Sequence, residues 1–99
     1  MILEHAVLDV GADEAVAYIA ALEEALPLIA ASPGFIDLEV RQCLETPGRF
    51  LLLVHWESVD AHETGFRKSE RYERWRALLH PFYDPFLTVE HYGKPIAKA

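Results

Sequence analysis

The chain has 99 residues, 52% hydrophobic and 25% charged, with 9 Lys plus Arg against 16 Asp plus Glu and a formal net charge of −7. That balance is globular, and an acidic chain without a basic run excludes nucleic-acid binding by phosphate neutralisation. No apolar run approaches the length of a membrane span, so no membrane partner is expected. The start Met1-Ile2-Leu3-Glu4-His5 has no positive stretch of the secretory kind, and Cys43 has no second cysteine to pair with. Both fit a protein of the reducing cytoplasm. A single domain of this size, residues 1–99, has a marginal core unless a metal or a second subunit supplements it.

In chain order, residues 2–10 (ILEHAVLDV) partly alternate apolar and polar positions and read as a strand ended by Gly11. Asp13 is placed to cap a helix from about residue 14, with Ala15, Tyr18, Ile19, Leu22, Leu26 and Ile29 on its apolar face. Pro27 is expected to kink it, and Pro33-Gly34 to end it. Residues 35–45 read as a half-buried strand, with Ile36, Leu38, Val40 and Leu44 inward and Asp37, Glu39, Arg41 and Glu45 outward. Thr46-Pro47-Gly48-Arg49 forms a turn into residues 50–57 (FLLLVHWE), apolar on both parities like a strand covered on both faces. Ser58 caps a short helix carrying Val59, Ala61, His62 and Phe66, and Ser69 offers a second cap. Tyr72, Trp75, Leu79 and Phe82 then recur at helical spacing, Pro81 and Pro85 close that helix, and residues 86–92 (FLTVEHY) form the last strand.

The order β-α-β-β-α-β predicts an α+β, ferredoxin-like fold with an antiparallel sheet and both helices on one face. The other face would be bare, with apolar side chains from the third strand. A second copy packing sheet to sheet would cover it, so a homodimer is expected.

The stretch SPGF at Ser32–Phe35, then FLLLVHWESVDAHETGF, SERYERW, LLHPFYDPF and VEHY, resembles the antibiotic biosynthesis monooxygenase family of dimeric α/β-barrel proteins. The resemblance covers essentially the whole chain, and Trp56 to His62 is its most specific part. It implies a pocket between helices and sheet in each subunit. In the polyketide-oxidising members a hydroxylated aromatic loses a proton there, and the anion gives an electron to O2 with no cofactor. The partners implied are a small phenolic, quinol or polyketide-like aromatic and O2.

Within that frame His62 is the candidate base or phenol anchor, since an imidazole suits proton transfer near neutrality. His91, on an apolar strand face, is the second polar candidate. Trp56, Phe66, Tyr72, Trp75 and Phe82 are the candidate substrate-binding box, because a flat ligand stacks on aromatic faces. Each also has a plain structural reading: a hydrogen-bonded core histidine, or aromatics buried at helical spacing. A metal fits poorly, because no H-x-x-x-H or H-x-x-E-H spacing occurs, although distant histidines can meet in space. Cys43, far from any activating base, is a poor nucleophile. The sequence has no asparagine, whereas the resemblance implies an Asn in both the haem-degrading and the best-studied polyketide-oxidising relatives. Neither residue set carries over intact. The alternatives are a non-catalytic binder of a small aromatic or aldehyde, or a haem-degrading enzyme.

Overall fold

The computed structural model describes residues 1–99. Strands β1 (Ile2–Asp9), β2 (Phe35–Gln42), β3 (Arg49–Trp56) and β4 (Val89–Tyr92) form one antiparallel sheet in the order β2-β3-β1-β4. Helices α1 (Ala15–Ala30) and α2 (Glu70–Leu79) pack together on one face. The α+β, ferredoxin-like architecture is therefore the one the pattern of elements calls for.

Period-two alternation decides what the helices cover. Register pairs Glu4 with Val54, Ala6 with Leu52 and Leu8 with Phe50. These even positions, with Trp56, are buried beneath Tyr18, Leu22, Ala25, Leu28 and Ile29 of α1 and Trp75 and Leu79 of α2. Each fully buried large apolar side chain there contributes about 1.5–3 kcal/mol. The odd positions Leu3, Leu51 and Leu53 lie on the opposite face and are only partly buried, and Val7 beside them is exposed. β3 is thus covered on one face within the chain, and not on both as its composition suggests.

Other boundaries also differ from the sequence reading. Asp13 does not cap α1; it lies in a short 3-10 turn (Ala12–Glu14), and α1 begins at Ala15 without a side-chain cap. α1 runs through Pro27, whose carbonyl still accepts from the Ala31 amide at 3.2 Å. β2 ends at Gln42, leaving Leu44 exposed, and a bulge between Phe35 and Asp37 leaves Ile36 exposed too. The last strand starts at Val89 and not at residue 86. Residues 83–87 instead lie against the helical layer, held by the Asp84 amide donating to the Asp9 carbonyl at 3.0 Å and by a Tyr18–Tyr83 hydroxyl contact of 3.1 Å.

The segment after β3 is the least regular part. The Ser58 hydroxyl accepts from the Ala61 amide at 3.1 Å, and a π-helical turn follows over Ala61–Phe66. Its wide winding is seen where the Arg67 amide donates to the His62 carbonyl, five residues back, at 2.9 Å. Such π turns re-aim side chains and often occur at functional sites. The Ser69 hydroxyl then caps α2, accepting from the Tyr72 amide at 3.2 Å.

Gly34 seats this segment. It has φ +85°, a left-handed conformation that favours glycine, and an added Cβ would stand 2.6 Å from the Ala61 Cβ. Its carbonyl accepts from the Glu57 amide at 2.8 Å. Gly34→Ala is expected to destabilise the protein by about 2–4 kcal/mol, from the left-handed backbone and the clash together. Urea denaturation against wild type measures it, and a loss under about 0.5 kcal/mol, the range of an unremarkable surface change, would contradict this account.

Candidate functional site

A cavity of about 140 Å³ lies between the helical layer and the sheet. Its walls include Leu8, Leu52 and Val89 from the sheet, Ile29 from α1, Phe66 from the π turn, and Tyr72 and Trp75 from α2. His80, Tyr83, Phe86 and Leu87 complete them from the segment that was expected to be helix end and strand. The aromatic rings meet edge to face: Phe66 with Tyr72 and Trp75 at 5.4 and 5.7 Å, Tyr72 with His80 at 6.0 Å, His80 with Phe86 at 5.2 Å.

The polar end of the cavity is built by Glu4, His62 and Arg67. Glu4 belongs to the covered parity of β1 and is 4% exposed. A carboxyl there needs a donor, and the Trp56 indole Nε1–H supplies one, donating to Glu4 Oε1 at 2.8 Å. His62 is 3% exposed, and its Nε2 lies 3.4 Å from the same oxygen. The imidazole stacks on the Trp56 indole, centroids 5.2 Å apart and planes at 23°. On the far side of the ring, His62 Nδ1 is 2.8 Å from His91 Nε2, one donating and the other accepting according to tautomer. Arg67 stands at the margin, 5.9 Å over the Tyr72 ring, with Nη1 3.6 Å from Glu63 Oε2.

Burial sets the electrostatics. It pushes the Glu4 carboxyl up to about 7, against the Trp56 hydrogen bond and the Arg67 charge, which pull it down. Burial pushes the His62 imidazole down to about 3, with His91 and Arg67 adding to the fall. Two desolvated groups side by side therefore rest as a carboxyl near its midpoint at neutrality and a neutral imidazole, and the 3.4 Å contact is not a standing ion pair. A carboxyl poised near 7 is suited to take a proton from a bound acid.

His62, Glu63 and His91 offer ligand atoms within 4.8 Å of one another, so histidines far apart in sequence do meet. The 2.8 Å nitrogen separation is that of a hydrogen bond. Two imidazole nitrogens on one tetrahedral zinc would stand about 3.3 Å apart. Glu63 is exposed and faces Arg67. The geometry is that of a paired imidazole couple.

Of the residues singled out from sequence, His62, Phe66, Tyr72 and Trp75 line the cavity. Three do not. Trp56 is fully buried behind His62 and holds Glu4; His91 lies beyond His62 and touches the cavity only through it. Phe82 turns away to pack on Tyr18, 5.5 Å between centroids, because the helix ends at Leu79 and a 3-10 turn follows. Sequence reasoning missed Glu4, Arg67, His80 and Tyr83. Glu4 carried a readable signal: it shares parity with Ala6 and Leu8 in an otherwise apolar row.

The model of the antibiotic biosynthesis monooxygenase family matches residues 1–78. The uncharacterised protein YczJ of Bacillus subtilis is 46% identical over 72 residues, 73% of this chain and 76% of its own length. A candidate antibiotic biosynthesis monooxygenase from Bordetella bronchiseptica superposes with a TM-score of 0.89 at 29% identity, covering 96% of this chain and 97% of its own. Another from Nitrosomonas europaea superposes at 0.81 with 18% identity over 95% and 98%, a likeness of fold alone.

Glu4 makes stability fall with pH. A folded-state value raised from 4.5 to about 7 contributes stability that is complete below the unfolded value and lost as pH rises through the folded one. Glu4→Gln keeps the acceptor for Trp56 and cannot ionise. It is expected to match wild type near pH 5 and to exceed it by up to about 3 kcal/mol at pH 9 in urea titrations. Parallel curves for the two proteins across that range would refute the buried, neutral-leaning carboxyl.

Proposed function

The chain belongs to the antibiotic biosynthesis monooxygenase family, and from that premise we propose that it is a cofactor-independent monooxygenase of a small, single-ring phenol or hydroquinone, working as a homodimer. One observation carries the reading: an aromatic-walled cavity closed at one end by a carboxyl and an imidazole in contact. Its volume of about 140 Å³ favours a single ring, since a cavity of roughly 150 Å³ takes a benzene-sized guest. A three-ring anthrone would require the walls to move.

The chemistry balances without an added reductant. The phenolic O–H bond breaks, its proton passing to the Glu4–His62 pair and its electron pair remaining on the substrate. The anion gives one electron to O2, and the resulting radical and superoxide join in a carbon–peroxide bond on the ring. Transfer of the proton from that carbon to the distal peroxide oxygen and cleavage of the O–O bond leave a new carbonyl. The distal oxygen departs as hydroxide and is protonated to water. One oxygen atom enters the substrate, and the two hydrogens removed leave in the water. The protein's tasks are to hold the ring between Phe66, Tyr72 and Trp75, to exclude water, and to move protons. Arg67 at the cavity margin supplies a positive charge beside the phenolate and superoxide.

The homodimer rests on the bare sheet face. Leu3, Val7, Leu51 and Leu53 form an apolar centre there, flanked by charged Asp37, Glu39 and Arg41 of β2. A second copy of the same face buries that centre and keeps the charged border wet.

Two measurements test the reading. In an oxygen electrode, hydroquinones and simple phenols are expected to drive O2 uptake and anthrones are not. His62→Ala should abolish that uptake while the dimer persists; saturable binding with no uptake across the panel would assign the protein to non-catalytic ligand binding. Light scattering at micromolar concentration should return twice the chain mass of 11.2 kDa, and a stable folded monomer would overturn the dimer.

A further inference from the structure

Resting on the oxygenase reading above, we propose that Glu4 is the residue that takes the substrate's proton, and that His62 and His91 form a wire carrying this proton between the buried end of the cavity and the edge strand β4. The argument begins with continuity. Glu4 and His62 both line the cavity, and His91 does not. His91 is only partly buried and belongs to the edge strand β4, where it is the cross-strand partner of Glu4. From Glu4 Oε1 the path runs 3.4 Å to His62 Nε2, through the ring to Nδ1, and 2.8 Å to His91 Nε2. The first step is long for a hydrogen bond, as catalytic contacts often are before substrate closes the site.

The parts are held for this use. Trp56 fixes the carboxyl by its indole N–H and fixes the imidazole by stacking on it. The π turn that carries His62 sets its two nitrogens toward different partners, one toward β1 and the other toward β4. An imidazole with a hydrogen on Nδ1 and a lone pair on Nε2 accepts on one side as it donates on the other.

The step is a closed exchange. The phenolic proton joins the Glu4 carboxylate, and the O–H electron pair stays on the substrate oxygen. Glu4 passes its proton to His62 Nε2 while His62 yields its Nδ1 proton to His91 Nε2, and His91 releases its own Nδ1 proton to solvent. His62 remains neutral throughout, which suits a ring whose burial strongly disfavours imidazolium. Each ring has now exchanged its tautomer. When hydroxide forms in the cavity later in the cycle, the same path running inward delivers a proton to it and restores the starting tautomers. Glu4 is thus a catalytic residue, while His91 acts through His62.

Variants at the two ends of the wire test it. Glu4→Gln is expected to lower kcat by at least about 100-fold, the scale of a lost general base. His91→Gln keeps a polar group of similar reach but cannot relay. It should lower kcat by at least about tenfold with KM within about twofold, and free imidazole in the buffer should restore part of the rate. A His91→Gln enzyme with undiminished kcat, or one whose loss imidazole leaves untouched while circular dichroism shows a native fold, overturns the wire. A second measurement needs no turnover, so it separates failure of the wire from failure of the oxygenase reading. Nitrogen-15 NMR of the histidine rings in the resting protein should find one hydrogen shared between His62 Nδ1 and His91 Nε2. Glu4→Gln should perturb both rings. Rings with no shared hydrogen, or a His91 ring indifferent to Glu4→Gln, would overturn the proposal whether or not any phenol is oxidised.

Discussion

Everything at the polar end of the cavity depends on one buried carboxyl and the indole that holds it. Burying a lone carboxylate is prohibitive, and burying a carboxyl without a partner costs several kcal/mol. Glu4 avoids both by accepting from Trp56 and leaning toward its protonated form. Because Trp56 ends β3 and Glu4 lies near the start of β1, that single hydrogen bond joins two central strands across 52 positions of sequence. The same indole face then receives His62. One side chain therefore sets the position of the carboxyl and the plane of the imidazole, and through the imidazole the partner of His91.

The division of labour between the two layers follows from this. The sheet supplies the fixed elements, Glu4, Trp56 and His91, on strands whose register leaves no freedom to slide. The helical layer supplies the aromatic walls on α2 and the π turn. The third contribution, from His80 to Leu87, is a 3-10 turn followed by irregular chain, tied by Tyr83 to Tyr18 and by Asp84 to the end of β1. Rigid strands thus hold the polar end of the cavity, and a segment with less regular structure forms part of its aromatic end.

Most of the architecture was legible in residue periodicity. Alternation in β1, the helical spacing of Tyr18, Leu22 and Ile29, and the Ser69 cap all do locally what the sequence implies, whereas in β2 alternation holds only at Leu38 and Val40. The site was legible in part. His62, Phe66, Tyr72 and Trp75 lie close together in sequence on helical turns, so a shared face could be read from spacing. Glu4 shows itself only through strand parity, as the one acid in an apolar row, and Arg67 sits in a run of alternating charges that reads as solvated surface. Phe82 falls outside the cavity because the helical period stops at Leu79, where the backbone tightens to a 3-10 turn at Pro81. The pairing of His62 with His91, 29 residues apart, is a tertiary fact that no local pattern contains.

The wide turn at Ala61–Phe66 has a consequence for how such a site can be gained or lost. A π turn holds one residue more than the α-helical turn it replaces. Excising a single codon within it would restore regular winding and rotate His62 roughly 100° about the axis, the angular step of one helical residue. His62 and Phe66, both buried in this turn, would then no longer face the cavity together. The extra residue is therefore what lets one short segment present both an imidazole and an aromatic wall to the same cavity.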